Sequence, residues 1–272
     1  MYGAILGDII GSVYEFDRGN KTKEFPMFQF GSQYTDDSVM TIAVAEALMD
    51  YRDDPDAKPL EEQLIRSMKR WGRAYPFAGY GGRFRGWLFG RSTEPYNSWG
   101  NGSAMRTSSV GWLYRTMEET RETARIVAAI THNHPEGIKG GEAVSAAIFL
   151  ARTGEDKETI RKYITDTFGY DLSRTCDEIR PSYHHVESCQ ETVPEAITAF
   201  LEGEDFEDVI RTAVSLGGDC DTLTCIAGGI AEAYYGVPDD LKQECRSRIP
   251  DRMKDVLDRF KAYRIPAEGN GR

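Results

Sequence analysis

The sequence predicts an all-α protein, and three observations carry that prediction. Apolar residues recur at the 3.6-residue period of amphipathic helices through most of the chain. The alternation expected of half-buried strands is scarce. Several helical stretches are poor in bulky side chains and rich in small ones, which suits the centre of a closely packed bundle. The chain has 272 residues, 40% of them hydrophobic and 28% charged, enough to bury a full core. Neither a linker nor a repeat divides it, so one domain over residues 1–272 is expected.

Each element has its own reason. Gly3-Ala4-Ile5-Leu6-Gly7 reads as a helix whose glycines must be justified by close contact, since Gly costs about 1 kcal/mol relative to Ala inside a helix. Thr35–Ser38 caps a helix continuing through Val39, Ile42, Ala43, Ala45 and Leu48, with Glu46 outward. Pro59 opens an amphipathic stretch carrying Leu60, Leu64, Met68 and Trp71. Residues 75–103 read as irregular, with glycines alternating with aromatics and with Arg83, Arg85 and Arg91. Such a loop suits a ligand-facing rim: glycines let backbone N–H groups approach a phosphate, arginines pair with it and aromatics offer faces to a base. Further helices are expected over residues 119–130, 140–152, 194–201, 206–215, 222–235 and 251–263.

Composition excludes several function classes. A formal net charge of -11 and the absence of a Lys/Arg-rich run argue against tracking a nucleic-acid backbone. The N-terminal apolar stretch lacks a basic flank and is broken by Asp8 and Glu15, so it reads as neither signal peptide nor anchor. No later run approaches the ~20 apolar residues that span a bilayer, so no membrane partner is expected. Cys176, Cys189, Cys220, Cys225 and Cys245 are odd in number and lack Cys-x-x-Cys spacing, which suits free thiols in the cytoplasm.

The most informative feature is a pair of acidic clusters at helix starts, Thr35-Asp36-Asp37-Ser38 and Gly217-Gly218-Asp219-Cys220-Asp221-Thr222. A cap needs one oxygen acceptor, whereas each cluster offers three, and the surplus charges repel unless cations or shared protons neutralise them. Hard oxygen ligands suit Mg²⁺, Mn²⁺ or Ca²⁺, so two clusters brought together would make a two-metal site. His132-Asn133-His134-Pro135 has a poor spacing for tetrahedral zinc. His184-His185 reads as a solvated pair in a loop, Arg106 as a bond to a helix C-terminus, and Asp8 as a cap or structural partner outside the site.

Read together, Gly7-Asp8-Ile9-Ile10-Gly11 with Glu15, Thr35-Asp36-Asp37-Ser38, Gly100-Asn101-Gly102-Ser103-Ala104-Met105-Arg106, Thr131-His132-Asn133-His134 and Gly217–Thr222 resemble the motifs of the ADP-ribosylglycohydrolase family. They occur in the family's order and cover nearly the whole chain. The resemblance implies a compact orthogonal helical bundle with two Mg²⁺ or Mn²⁺ ions in a cleft. The implied activity is hydrolysis of the bond between ADP-ribose and an acceptor, either a modified protein or a small ADP-ribosyl compound.

Carried over by position, Thr35, Asp36, Asp37, Asp219, Asp221 and Thr222 would bind metal. Asn101, Gly102, Ser103 and His132 would bind substrate, and Glu15 and Asp36 would be catalytic. The chemistry agrees, because cleaving a ribosyl bond passes through an oxocarbenium-like transition state that needs a carboxylate and an activated water. Residues 75–99 are expected to set acceptor specificity. A two-metal nucleotide phosphohydrolase and a non-catalytic, crystallin-like binder are the competing readings.

Overall fold

The computed structural model describes residues 1–266. Its helices are α1 Tyr2–Gly11, α2 Asp36–Asp53, α3 Leu60–Ala74, α4 Gly82–Phe89, α5 Gly102–Met105, α6 Val110–Leu113, α7 Met117–Ala129 and α8 Pro135–Arg152. They continue with α9 Lys157–Phe168, α10 Cys176–Ile179, α11 Cys189–Glu202, α12 Phe206–Leu216, α13 Cys220–Tyr235, α14 Asp239–Arg248 and α15 Asp251–Tyr263. The all-α class is therefore observed: no strand occurs among the described residues, and extended backbone pairs only at an antiparallel bridge between Gly100 and Ser188. Among the described residues, no helix is long and apolar enough to cross a membrane.

Helix α13 is the axis of the fold, packing against α1, α8, α11 and α12 and touching α2 and α5. Its contact with α1 is of backbone on backbone. Gly3, Gly7 and Gly11 recur every four residues and so lie along one face of α1. A Cβ at these positions would lie 2.1 Å from the Gly228 carbonyl oxygen, 2.1 Å from that of Thr224 and 2.5 Å from that of Cys220. Gly228 is equally constrained, with a notional Cβ 2.4 Å from the Gly3 oxygen. The small-residue stretches thus justify their intrinsic helix cost by close approach. Glu232 on α13 fixes the other end of the pair, accepting from the Met1 ammonium at 2.8 Å and the Gly3 N–H at 2.7 Å.

Several boundaries differ from expectation for identifiable reasons. Helix α8 begins at Pro135 rather than residue 140, because His134 caps it by accepting from the Glu136 N–H at 3.2 Å. Its glycines are packing positions rather than breaks: a Cβ at Gly140 would meet the Cys189 sulfur at 2.5 Å. Helix α11 begins at Cys189 and carries Pro194 in its interior, where a Pro at the first helical position was expected. The carbonyl that loses its donor belongs to Gln190, an exposed residue. The structure adds α6, α9, α10 and α14 to the expected helices: α6 and α10 are single turns of four residues, α14 buries only Leu241 and Cys245, and α9 carries the apolar stripe Ile160, Ile164 and Phe168. The supposedly irregular stretch 75–103 contains α4, whose Phe84, Trp87 and Leu88 are buried.

The close helix contact generates a stability prediction. Gly7→Ala should destabilise the protein by about 3 kcal/mol or more, roughly 6–12 °C in Tm, since rigid backbone faces the new methyl. Gly86→Ala in α4, where a Cβ meets nothing within 4 Å, should be neutral or stabilising by about 0.5–1 kcal/mol. Thermal unfolding of both variants checks this, and an unchanged Tm for Gly7→Ala would contradict the packing.

Candidate functional site

Three helices deliver their acidic residues to one point. Thr35 caps α2 and accepts from the Asp37 N–H, leaving Asp36 and Asp37 in the first turn. Gly217 and Gly218, at φ 76° and 78°, make the turn that places Asp219 at the cap of α13 with Asp221 and Thr222 behind it. Both helix starts present a positive dipole end to these carboxylates. The Thr35 hydroxyl lies 3.3 Å from Asp37 Oδ2 and 3.4 Å from Asp221 Oδ2, and the Thr222 hydroxyl lies 3.2 Å from Asp37 Oδ2. The two clusters therefore meet, as a shared site requires.

Asp8, left outside the site on sequence grounds, stands at its centre. The glycine face of α1 carries it there, so the signal was the spacing Gly7-Asp8-x-x-Gly11. Its Oδ2 accepts from the Thr35 N–H at 2.8 Å, the Ser38 N–H at 3.0 Å and the Ser38 hydroxyl, and its Oδ1 accepts from the Thr35 hydroxyl at 2.7 Å. Carboxylate oxygens of Asp8, Asp37 and Asp221 lie within 4.8 Å of one another, as do those of Glu15, Asp219 and Asp221. With Asp8 Oδ2 already saturated by donors, its main work is to orient Thr35 and the start of α2. Asp37 Oδ1 is the contrasting case: it is buried and has no hydrogen-bond partner. A cation fits that orphaned oxygen and the hard donors around it.

Electrostatics lead to the same conclusion. Burial, then the charge of Asp221, then that of Asp8, raises the Asp36 and Asp37 carboxyls well above the usual range. Asp221 is likewise raised by burial and then by Asp219. Burial also raises Asp8, opposed by its bonds from Ser38 and Thr35. Asp219 is pushed up to about 7 by burial, and Glu15 to about 7 by burial and then Asp221. At an effective dielectric of ~20, two unit charges ~4 Å apart repel by about 4 kcal/mol, so several ionised carboxylates here would consume most of a domain's stability.

The cleft over these carboxylates has a volume of about 420 Å³ and is bordered by Glu15, Asp36, Asn101, Gly102, His132 and Arg83, among others. Asn101 donates to Asp219 Oδ2 at 2.6 Å and to the Thr192 hydroxyl at 3.0 Å, so it fixes an acidic residue as well as facing the cleft. Arg106 donates to the carbonyls of Val127 and Ala128 at the end of α7, as the sequence suggests, and to the Thr131 hydroxyl at 2.9 Å. That hydroxyl lies 2.7 Å from His132 Nδ1 and can give its own proton there, which leaves Nε2–H facing Gly102. Burial, then the Arg106 charge, holds the His132 imidazole well below its ordinary pKa, so it is neutral.

Other expectations are redistributed. The Ser103 hydroxyl is buried and donates to the carbonyls of Gly137 at 2.7 Å and Gly100 at 3.1 Å, so it joins α5 to α8 and does not face the cleft. Of the three loop arginines, Arg83 borders the cleft, with its guanidinium 5.0 Å from the Tyr96 ring centroid. Arg85 instead folds back to the Pro76 carbonyl at 2.9 Å. His185 is not simply solvated: its ring lies 4.7 Å from that of Phe16 and its backbone N–H donates to Asp17.

Asp17 in turn ties the segment after Glu15 across the cleft, accepting from the N–H groups of His185 at 2.9 Å and Gly218 at 3.0 Å. Phe16 and Asp17 adopt φ 59° and 57°, a left-handed pair that side chains other than Gly resist. The tether that holds Glu15 over Asp221 is thus conformationally costly as well as hydrogen-bonded.

These raised carboxyls predict a pH dependence for the metal-free protein. Groups that hold protons more tightly when folded lower stability as pH rises from their ordinary values, 3.8 for Asp and 4.5 for Glu, towards the raised ones, about 7 for Asp219 and Glu15. The Tm without metal should therefore fall between about pH 4 and about pH 7. Saturating Mg²⁺ or Mn²⁺ should restore about 5–10 °C near neutrality and less in acid. A Tm indifferent to both pH and cations would contradict a cation-binding cluster.

The family model described as ADP-ribosylglycohydrolase matches residues 1–268. ADP-ribosylhydrolase ARH3 of Bos taurus is 27% identical over 321 residues, covering 89% of this chain and 86% of the relative. The human ARH3 is 27% identical over 320 residues, covering 89% and 87%. ADP-ribosylarginine hydrolase Tri1 of Pseudomonas putida is 24% identical over 265 residues, covering 87% and 70%. A solved structure titled ADP-ribosylglycohydrolase-related protein complex superposes with a TM-score of 0.69 at 23% identity, over 96% of both chains, which shows a shared fold. A match running essentially from end to end, on a fold that joins two remote acidic helix starts at one cleft, means that the chain belongs to the ADP-ribosylglycohydrolase family.

Proposed function

We propose that the protein is a hydrolase that cleaves the glycosidic bond between ADP-ribose and an acceptor, with the help of two divalent cations, Mg²⁺ or Mn²⁺. The observation that carries the reading is the meeting of Asp36 and Asp37 with Asp219 and Asp221 beneath a cleft bordered by Glu15, with Asp37 Oδ1 buried and unpartnered. Thr35, Asp36, Asp37, Asp219, Asp221 and Thr222 would hold the cations, with Asp8 orienting Thr35. Bound there, the cations supply Lewis acidity towards ribose hydroxyls and water.

The chain's own residues then divide the remaining work. Asn101 and the Gly102 backbone border the ribose and pyrophosphate, the neutral His132 donates from Nε2 to a substrate oxygen, and Arg83 pairs with phosphate. The bond between the anomeric carbon and the acceptor atom breaks, the electron pair leaves with the acceptor atom, which takes up a proton, and the positive charge left on the anomeric carbon is stabilised by the Glu15 carboxylate. Water adds its oxygen to that carbon and gives a proton to Glu15 Oε, whose pKa of about 7 suits a base working near neutrality. Asp36, half-buried beside Asp221, is the second proton-handling carboxylate. The five buried free cysteines suit a reducing cytoplasm.

The direct test incubates the protein with ADP-ribosylated peptides in Mg²⁺, Mn²⁺ or chelator and identifies products by mass. Free ADP-ribose, released only with metal, is expected. AMP with ribose phosphate would indicate a phosphohydrolase, and ADP-ribose binding without turnover would indicate a binder. Asp221→Asn should remove most activity, about 100-fold or more, and weaken metal binding, since Asp221 borders both acidic groups. Glu15→Gln should lower kcat by about 100-fold or more while leaving ADP-ribose affinity within a few fold. Parallel loss of affinity and rate would make Glu15 a binding residue.

A further inference from the structure

The turn that carries Asp219 is supported by a part of the chain outside both acidic clusters, the segment 180–188 between α10 and α11. Gly218 has φ 78°, and a Cβ there would lie 2.6 Å from Tyr183 Cε1 and 3.1 Å from the His184 carbonyl oxygen. The turn therefore rests directly on Tyr183 and on the backbone beside it. Lys21 fixes that backbone from its other side, donating to the Arg180 carbonyl at 3.0 Å and to the Tyr183 carbonyl. The loop that carries Asn101 is joined to the same segment. The Asn101 N–H donates to the Glu187 carbonyl at 2.8 Å and the Cys189 N–H to the Trp99 carbonyl at 2.9 Å, on either side of the Gly100–Ser188 bridge.

One side chain connects these supports to the site. Thr192, in the first turn of α11, is fully buried. A buried helical threonine is commonly satisfied by the carbonyl four residues back, as the Thr120 hydroxyl is by Thr116 at 2.8 Å. Thr192 instead reaches out of its helix. Its hydroxyl is directed at the Val186 carbonyl, 3.4 Å away, and accepts from Asn101 Nδ2 at 3.0 Å. That amide nitrogen has two hydrogens, and the other goes to Asp219 Oδ2 at 2.6 Å. The terminal torsion of an asparagine is broad, so a single acceptor leaves the amide free to pivot. Two acceptors on one nitrogen fix its plane, and with it the direction of the Asp219 carboxylate.

We propose that Thr192 is a positioning residue for the cation site, acting on Asp219 through the Asn101 amide. The inference rests on the reading that the acidic cluster holds divalent cations. A carboxylate ligand binds metal well when groups behind it hold its oxygens in place before the ion arrives. Thr192 supplies that restraint from α11, a helix that contributes no acid to the cluster.

The test measures Mn²⁺ affinity, from the free ion seen by electron paramagnetic resonance, together with the Tm of the metal-free protein. Thr192→Val keeps the shape of the side chain and removes its hydroxyl, and Thr192→Ala is a second hydroxyl-free variant. Both should bind Mn²⁺ about fivefold to tenfold more weakly, somewhat less than the loss typical of a group that touches a ligand directly. Thr192→Ser should return affinity to within about twofold of the wild type, since it restores the acceptor. Adding Thr192→Val to Asn101→Ala should change affinity by less than about twofold, because the link is already cut. A lowered metal-free Tm with wild-type affinity in both hydroxyl-free variants would make Thr192 a structural residue and overturn the proposal. An equal loss of affinity with and without Asn101 would overturn it as well. Wild-type protein that binds no Mn²⁺ would overturn the cation reading and this inference together.

Discussion

Five aspartates and a glutamate held around one cleft, none in an ion pair with Lys or Arg among the described residues, set the terms for the rest of this structure. Carboxylates do not gather in this way by mutual preference, because burial and repulsion both oppose their ionised forms. Something rigid must hold them. That frame is the contact between α1 and α13, where Gly3, Gly7, Gly11 and Gly228 let two helix backbones touch. The frame puts Asp8 beside Thr35 and Asp221, and through them it joins two helix starts remote in sequence.

The residues around the cluster form graded layers of support. Asp8 is committed to Thr35 and Ser38, Asn101 to Asp219, and Thr131 links Arg106 to His132. Each fixes the direction of a group facing the cleft, so the chemistry draws on side chains that cannot easily relax. Glu15 is held differently. It precedes two residues in the left-handed region and is secured through Asp17 to the Gly218 turn and to His185. The arrangement places one carboxylate at the border of an acidic cleft that His132 and Arg83 also border.

Much of this was legible in the sequence, and what was not has physical causes. Surplus acid beside a capping threonine is a local pattern, so both clusters could be read without knowing the fold. Asp8 could not, because one aspartate on an apolar helix gives no local sign of its neighbours; only the packing of α1 on α13 reveals them. Ser103 shows the converse, a residue in a recognisable motif whose hydroxyl serves helix packing instead. Residues 75–103 looked irregular because glycine dominates their composition, yet three apolar side chains on one face suffice to form α4. Helix starts at Pro135 and Cys189 differ from expectation because interior glycines and Pro194 resemble boundaries, although tight packing accommodates the glycines and the residue whose carbonyl Pro194 leaves without a donor, Gln190, is exposed.

The central claim is that the joined clusters exist to hold divalent cations. The most direct measurement is anomalous scattering at the manganese edge from crystals of the protein grown with Mn²⁺. The account predicts manganese peaks at the cluster, against the unpartnered Asp37 Oδ1 and beside Asp219 and Asp221. Absence of any peak at the cluster, in crystals showing the same helix packing and full Mn²⁺ in the solvent, would contradict it.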